Sequence, residues 1–333
     1  MRFLLTIAVP TYNIEHYIQR NIESFQKVSD NLKELFEVLI VNDGSTDESI
    51  KVAMEIINKD ENLNIRIINK QNGGHGSAVN KGIEQAKGKY FKIIDGDDWI
   101  NPKAFEIYLK RLLVEESDMI ITNFRKQFIQ DGTNELIKAL DFKDNTRFTQ
   151  YPLQRIYMHS ITYKTKILAD NHIRLSEGVF YVDMQYVYFP QKFVQTIVYW
   201  DLDIYQYLLG RSEQSVNFKS LLRNESHHLL VTESLLALYD ESKDIYLRNL
   251  YTVPLDSMIN TTFLILGLNK STNKVREFAR KVHDSDFKYK YSSGRKTSYL
   301  MYIGETKASF FKPLLDLVID SKLKKMTKEI EED

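Results

Sequence analysis

Tyr90-Phe91-Lys92-Ile93-Ile94-Asp95-Gly96-Asp97-Asp98-Trp99 joins an apolar run to three carboxylates within four residues. The run reads as a buried strand, and the acidic cluster falls where that strand ends. Carboxylates this close repel one another, so their grouping does not serve stability. One reading is a bound divalent cation, because oxygen ligands suit Mg²⁺ or Mn²⁺ and such ions are often shared with substrate phosphates. The other is an acidic turn in which Asp97 or Asp98 caps a helix opening near Asn101-Pro102.

Outward from this stretch, strand-like and helix-like segments alternate. Apolar runs at 4–9, 36–41, 65–68, 90–94 and 119–123 read as strands. Between them, 15–28 has helical spacing, and Ser45-Thr46-Asp47-Glu48 opens a helix to 58 with a serine or threonine placed to cap it. Segments 77–86 and 105–115 are further helices. This alternation implies an α/β fold with a mixed, mainly parallel sheet and helices on both faces. Ligands in such sheets bind beyond the carboxyl ends of the strands. Polar loops follow four of those ends: Thr11-Tyr12-Asn13, Asn42-Asp43-Gly44-Ser45, Gln71-Asn72-Gly73-Gly74-His75-Gly76 and the aspartate cluster. Their convergence on one crevice is more specific than any loop alone.

The glycine-rich loop precedes a helix, where backbone can approach a ligand closely and the helix N-terminus favours phosphate. It lacks the GxGxxG and Gly-Lys-Ser/Thr fingerprints, so a plain loop is the competing reading. Asp43 either makes an Asx-turn or accepts hydrogen bonds from a base or ribose. Segment 131–150 turns polar and reads as a loop excursion, 193–207 returns to strand character, and 225–239, 245–266 and 273–282 are helical. The chain thus divides into residues 1–218 and a C-terminal helical appendage, 219–333.

Composition narrows the class. The 333 residues carry 45 acidic and 45 basic side chains, so no global field draws the chain to nucleic acid. Cysteine is absent, which excludes disulfides, zinc–thiolate sites and a cysteine nucleophile, and fits a cytoplasmic protein. No stretch reaches membrane-spanning length, and the apolar start reads as a first strand rather than a signal peptide. Tyrosine and phenylalanine are abundant, which suits sugar stacking, although ordinary core packing explains most of them.

Four segments together carry a resemblance: Val9-Pro10-Thr11-Tyr12-Asn13; Val41-Asn42-Asp43-Gly44-Ser45-Thr46-Asp47; Asn72-Gly73-Gly74 with Asn80-Lys81-Gly82; and Asp95-Gly96-Asp97-Asp98. In order and spacing they resemble the family 2 inverting glycosyltransferases of bacterial glycan synthesis, which have the GT-A fold. The resemblance covers about residues 3 to 215. It implies a UDP-sugar donor and a DxD motif at Asp95-Gly96-Asp97. Pro10, Tyr12 and Asp43 would line the uracil pocket, with Asn13 beside them, and Asn72, Gly73 and Gly74 would lie along the nucleoside. Asp95 would contact the ribose or metal region, and Asp97 would ligate Mn²⁺ or Mg²⁺. Relatives often carry arginine where this chain has Val79.

Such a transfer needs a carboxylate to take the acceptor's proton. Ser176-Glu177-Gly178-Val179-Phe180-Tyr181-Val182-Asp183-Met184 matches the family's Glu-Gly…Glu-Asp pattern, with Val182 replacing the usual acidic partner. Asp183 is therefore the expected base, and its competing role is to cap a helix near Met184. Glu177 reads as structural or acceptor-facing. Arg211, in Tyr205-Gln206-Tyr207-Leu208-Leu209-Gly210-Arg211-Ser212, would neutralise the diphosphate in part. His159 and His172 are left out of the metal site, since a lone histidine is more often structural. A basic amphipathic helix at 310–328 would dock on its own domain, on a homodimer partner or on an anionic membrane surface. The expected acceptor is a surface polysaccharide, a teichoic-acid-type polymer, a lipid-linked oligosaccharide or a glycoprotein glycan. The competing classes are a non-catalytic nucleotide-sugar-binding module and a nucleotidyltransferase.

Overall fold

In a computed structural model of the chain, residues 3–60, 62–210, 218–289 and 296–306 are described, with positions 316, 319 and 322. They divide into two compact units, one of 1–152 with 156–214, the other of 215–333 with 153–155.

The first unit begins with β1 (Phe3–Thr11), α1 (Ile18–Gln26), α2 (Asp30–Lys33), β2 (Phe36–Asn42), α3 (Ser49–Ile57), β3 (Ile65–Asn69), α4 (Gly74–Gln85) and β4 (Gly88–Ile93). It continues through β5 (Trp99–Ile100), α5 (Pro102–Leu112), β6 (Met119–Phe128), β7 (Asn134–Ile137), β8 (Thr146–Phe148), β9 (Ile161–Lys164), α6 (Thr165–Ala169), α7 (Asp183–Tyr188) and β10 (Ile197–Leu209). The sheet order is β3-β2-β1-β4-β9-β6-β10-β5, with β7 on β6 and β8 on β10. Strands β3, β2, β1 and β4 pair in parallel, and so do β6 and β10. The sheet is α/β and mixed, but less parallel than the alternation implies, because β9 inserts antiparallel between β4 and β6. At four residues β9 is too short to leave a periodic signal. The polar excursion at 131–150 likewise holds β7 and β8, added antiparallel to β6 and β10.

Burial explains the parallel half. Every residue of β2 is buried, as are all but one of β1, and strands covered on both faces read as continuous apolar runs. Much of the aromatic content is core. Phe36 meets Phe25 at 6.2 Å and Phe105 at 5.3 Å between ring centroids, and Tyr108 meets Trp200 at 5.4 Å. Two helix starts differ from expectation. Helix α3 begins at Ser49, with Asp47 Oδ1 accepting from the Ser49 amide at 3.1 Å, while Ser45 and Thr46 are bonded to Asn13 instead. The cap of α5 is Asn101, whose side chain accepts from the Ala104 amide at 3.4 Å, so neither Asp97 nor Asp98 fills that role.

The second unit contains α8 (Phe218–Arg223), α9 (Glu225–Glu241), α10 (Ile245–Leu268), α11 (Thr272–Asp284) and α12 (Lys296–Glu305). Its core includes Val231, Leu235, Tyr251, Leu255, Ile259, Phe263 and Phe278. The expected helix at 310–328 lies outside the described residues except for isolated positions. Among the described residues, no helix is long and apolar enough to cross a membrane.

Two expectations follow from the sheet. A Cβ on Gly88 would overlap the Thr6 amide and the Leu5 carbonyl carbon, both backbone atoms of β1. Gly88→Ala is expected to cost about 1–3 kcal/mol, read as a lower urea midpoint with unchanged slope. Lys92, buried in β4, donates to the carbonyls of His159 at 2.9 Å and Ile161 at 3.2 Å, fastening β9 in place. Burial favours its neutral amine and brings its pKa from 10.5 down to about 7. The folded chain therefore sheds this proton before the unfolded chain, and the Lys92 contribution to stability rises with pH across that window. Between about pH 7 and pH 9, wild type is expected to gain roughly 1–3 kcal/mol relative to Lys92→Met in urea unfolding.

Candidate active site

The carboxyl ends of β1, β2 and β3 and the start of α4 meet at one residue, Asp43. Asp43 directly follows β2, and its amide donates to the Thr11 carbonyl at 2.9 Å. Its Oδ1 accepts from the Gly73 amide at 3.0 Å and from Lys70 Nζ at 2.5 Å, and its Oδ2 accepts from the Gly74 amide at 2.7 Å. Helix α4 opens here with Gly73 at its N-cap, a residue with no side chain to satisfy the first amides. Asp43 supplies that acceptor from another strand. The Asx-turn belongs to its neighbour, since Asn42 Oδ1 accepts from the Ser45 amide at 2.9 Å. The glycine-rich segment is accordingly the first turn of α4 rather than a loop before it. On the β1 side, Pro10 accepts from the Gly96 amide at 3.2 Å, and Asn13 Oδ1 accepts from the Thr46 amide at 2.8 Å. Tyr12 is half exposed at the rim.

The aspartate cluster divides by environment. Asp98 is buried, and both its oxygens are engaged: Oδ2 accepts from the Tyr205 hydroxyl at 2.5 Å and Oδ1 from the Leu208 amide at 2.8 Å. Burial, then the negative charges of Asp97 and Asp95, push its carboxyl well above the usual range. Asp98 thus braces β10 against the strand end. Asp95 Oδ1 lies 2.8 Å from His75 Nε2 on the first turn of α4. Burial opposes the Asp95 charge, but His75 first, then His159 and the Tyr205 hydroxyl, together hold the carboxyl low. Burial likewise opposes a charged His75, and Asp95 first, then Asp183 and Asp97, hold its pKa up. A ring nitrogen of His159 comes within 4.8 Å of oxygens of Asp95 and Asp98. The His159 ring packs 4.4 Å from Tyr207 and 4.9 Å from Phe124. Arg20 lies 3.6 Å over the Trp99 ring and feels the charges of Asp98 and Asp97. Negative charge gathered on the oxygens of Asp95 and Asp98, with a His159 ring nitrogen within 4.8 Å, is donor chemistry that fits a divalent cation.

The loop before Asp183 is clamped to α4. Asn80 exchanges two hydrogen bonds with the backbone of Leu175, each at 2.9 Å, and its amide also reaches Glu177 Oε1 at 3.1 Å. Ser77 Oγ donates to Glu177 Oε2 at 2.9 Å, and the Gly178 amide donates to the Gly73 carbonyl at 2.6 Å. Glu177 therefore ties the loop to the helix. A Cβ on Gly76 would overlap the Ser176 carbonyl oxygen, so only glycine permits this approach. Asp183 then opens α7, with Val182 rather than Asp183 at the N-cap. Its charge acts on both His75 and Tyr207.

The family model described as Glycosyl transferase family 2 matches residues 6–171. The chain is 30% identical over 190 residues to the uncharacterized glycosyltransferase EpsJ of Bacillus subtilis, covering 52% of this chain and 53% of that protein. It is 34% identical over 204 residues to the teichoic acid poly(glycerol phosphate) polymerase of Staphylococcus epidermidis, covering 58% of this chain and 27% of that one. The matches thus span about half of one relative and a quarter of the other. In fold, the chain is similar to S. aureus TarS 1–349 in complex with UDP-GlcNAc, with a TM-score of 0.64, 18% identity, and 96% and 92% of the two chains covered. The mannosyltransferase PcManGT of Pyrobaculum calidifontis, in complex with GDP-Man and Mn²⁺, matches with a TM-score of 0.53, 14% identity, and 94% and 87% covered.

The structure brings Pro10, Asn13, Asp43, Asn72, Gly73, Gly74, Asp95, Asp97 and Asp183 to one end of the sheet, with Tyr12 at its rim. Arg211 lies outside the described residues. Val79, where an arginine is common in relatives, is fully buried on α4. Sequence reasoning missed His75, one helical turn earlier, and Tyr205. It also set His159 aside, yet that residue reaches the Asp95–Asp98 cluster. His75 lies inside the glycine-rich motif and Tyr205 inside the Tyr205–Ser212 stretch, whereas His159 arrives from a distant segment with no local signal. Asp43→Ala would leave two helix amides and Lys70 without their acceptor. The expected cost is about 2 kcal/mol, with partial recovery in Asp43→Asn, measured by urea unfolding.

Proposed function

The chain belongs to glycosyl transferase family 2, and from that premise we propose that it is a metal-dependent, inverting glycosyltransferase moving a hexose or N-acetylhexosamine from a UDP-sugar to a glycan hydroxyl. The observation that carries this reading is the acidic cluster at the carboxyl end of the parallel strands, where Asp95 lies 2.8 Å from His75 and the charge of Asp183 is felt as well. Two carboxylate groups in different settings suit two tasks, one beside the donor and one beside the acceptor.

In this reading Pro10, Tyr12, Asn13, Asp43, Asn72, Gly73 and Gly74 bind the nucleoside, with the first turn of α4 behind the diphosphate. Asp97 and Asp95 would hold Mn²⁺ or Mg²⁺, which when bound neutralises the leaving diphosphate as a Lewis acid. Arg211 would add a cation to the same group. Asp183 takes the acceptor hydroxyl's proton as that oxygen bonds to the anomeric carbon. The bond from that carbon to the diphosphate oxygen breaks on the opposite face, and UDP leaves. The UDP-GlcNAc held by the TarS structure is in line with a UDP-sugar donor. The acceptor would be a cell-surface glycan, teichoic-acid-type polymer, lipid-linked oligosaccharide or glycoprotein glycan, and the polymerase match is in line with the teichoic-acid type. We place the reaction in the cytoplasm or at the inner face of the membrane. Residues 219–333 would bind acceptor, a second copy or that surface.

A panel of UDP-sugars, with and without Mn²⁺, measures UDP release. Asp183→Asn is expected to lower transfer by about 10²–10⁴-fold while UDP binding by calorimetry is kept. Normal turnover by that variant would remove Asp183 as the base. Metal-independent release would remove the cation.

A further inference from the structure

We infer that His75 is the positioning residue for Asp95: its ring donates from Nε2 to Asp95 Oδ1 and so fixes the direction in which that carboxylate meets a divalent cation. The inference deepens the metal-dependent reading and rests on it. Asp95 is held by three different elements. The Tyr205 hydroxyl of β10 accepts from its amide at 3.2 Å, and the Asn21 side chain of α1 donates to its carbonyl at 3.2 Å. These two bonds fix its backbone. His75 of α4 meets its carboxylate at 2.8 Å, and this bond sets the rotation of the side chain. The carboxyl is held low and so ionised, which makes the histidine the donor.

His75 is itself set by the fold. It stands between Gly74, at φ +82°, and Gly76. A Cβ on Gly74 would come within 3.3 Å of the Gly178 nitrogen, and one on Gly76 would overlap the Ser176 carbonyl oxygen. The first turn of α4 therefore lies directly on the 176–178 segment. Asp43 holds the same turn from the other side through the Gly73 and Gly74 amides. The ring is thus anchored through its own backbone and does not depend on a ligand to be placed.

The pair is not a core brace. The His75 and Asp95 side chains keep 31% and 23% of their surface exposed, whereas Asp98 is buried with both oxygens bonded inside the protein. A polar pair open to solvent adds little to stability. Its place at the strand end serves orientation instead. The charges of Asp97 and Asp183 act on the same ring, so His75 stands among the carboxylates of the crevice. Partners that hydrogen-bond a ligating carboxylate govern how tightly its metal is held. His75 has that relation to Asp95.

The test uses the full chain with UDP and follows Mn²⁺ uptake by electron paramagnetic resonance of the free ion. His75→Leu and His75→Ala, which lack an N–H at this point, are expected to raise the Kd for Mn²⁺ about 10–100-fold. His75→Gln, which keeps an N–H of similar reach, should bring the Kd back towards wild type. UDP binding without metal and the urea midpoint should not move in any of the three. Turnover lost in His75→Leu should return at saturating Mn²⁺, whereas that of Asp183→Asn should not. An unchanged Kd in His75→Leu and His75→Ala would overturn the role of His75, and so would a Kd in His75→Gln as weak as theirs. A urea midpoint that falls in step with Mn²⁺ uptake would make the pair a brace and overturn it too. If wild type takes up no Mn²⁺ with UDP, the cation reading fails and this inference with it. If wild type takes up Mn²⁺ but releases no UDP from any UDP-sugar, the transferase reading fails on its own, and the Mn²⁺ titration still decides His75.

Discussion

The carboxylate of Asp43 is the contact on which the rest of the crevice depends. It fastens the end of β2 to the Lys70 ammonium beyond β3 and to the first two amides of α4. Without that acceptor, the partly buried amides would lose their partner within the protein. The glycine-rich turn could not then lie against the strand ends. Because α4 is set by Asp43, so is everything α4 carries: His75 toward Asp95, Ser77 and Asn80 toward Glu177, and the whole loop leading to Asp183. One buried acceptor thus transmits the register of the parallel strands to a residue about 140 positions further along.

A second brace works from the opposite side. Asp98 holds Tyr205 and the Leu208 amide, and the Tyr205 hydroxyl in turn accepts from the Asp95 amide at 3.2 Å. The acidic cluster is therefore not three equivalent carboxylates. Asp98 is committed to structure and, being buried beside two like charges, resists ionisation. Asp95 is held ionised by His75. The two environments separate groups that are only three residues apart. That separation leaves Asp95 ion-paired at the strand end while Asp98 keeps β10 in place.

Much of this could be read from the chain itself. The strands β1, β2 and β4 are covered on both faces, so their sequences are mainly apolar runs, and the polar loops stand out where those runs stop. The ends of elements were less legible. Helix α4 starts at Gly74 because its cap is Asp43, and no local pattern could announce a cap 30 residues away. Strands β7, β8 and β9 are three or four residues long, and pairing with β6, β10 and β4 rather than propensity makes them strands. His159 read as a structural histidine, since only packing on Phe124 and Tyr207 carries it to the aspartates.

The sequence by itself determined the alternation of strands and helices, the four loops at their ends, the family and the residue types offered for donor, metal and base. These follow from apolar periodicity and short motifs, which are local properties. Tertiary structure decided how each carboxylate is held. Whether an aspartate is a buried brace or an ion-paired carboxylate depends on burial and on the charges across the crevice. Those are set by residues such as His75, Tyr205 and Leu208, brought together only when the chain folds.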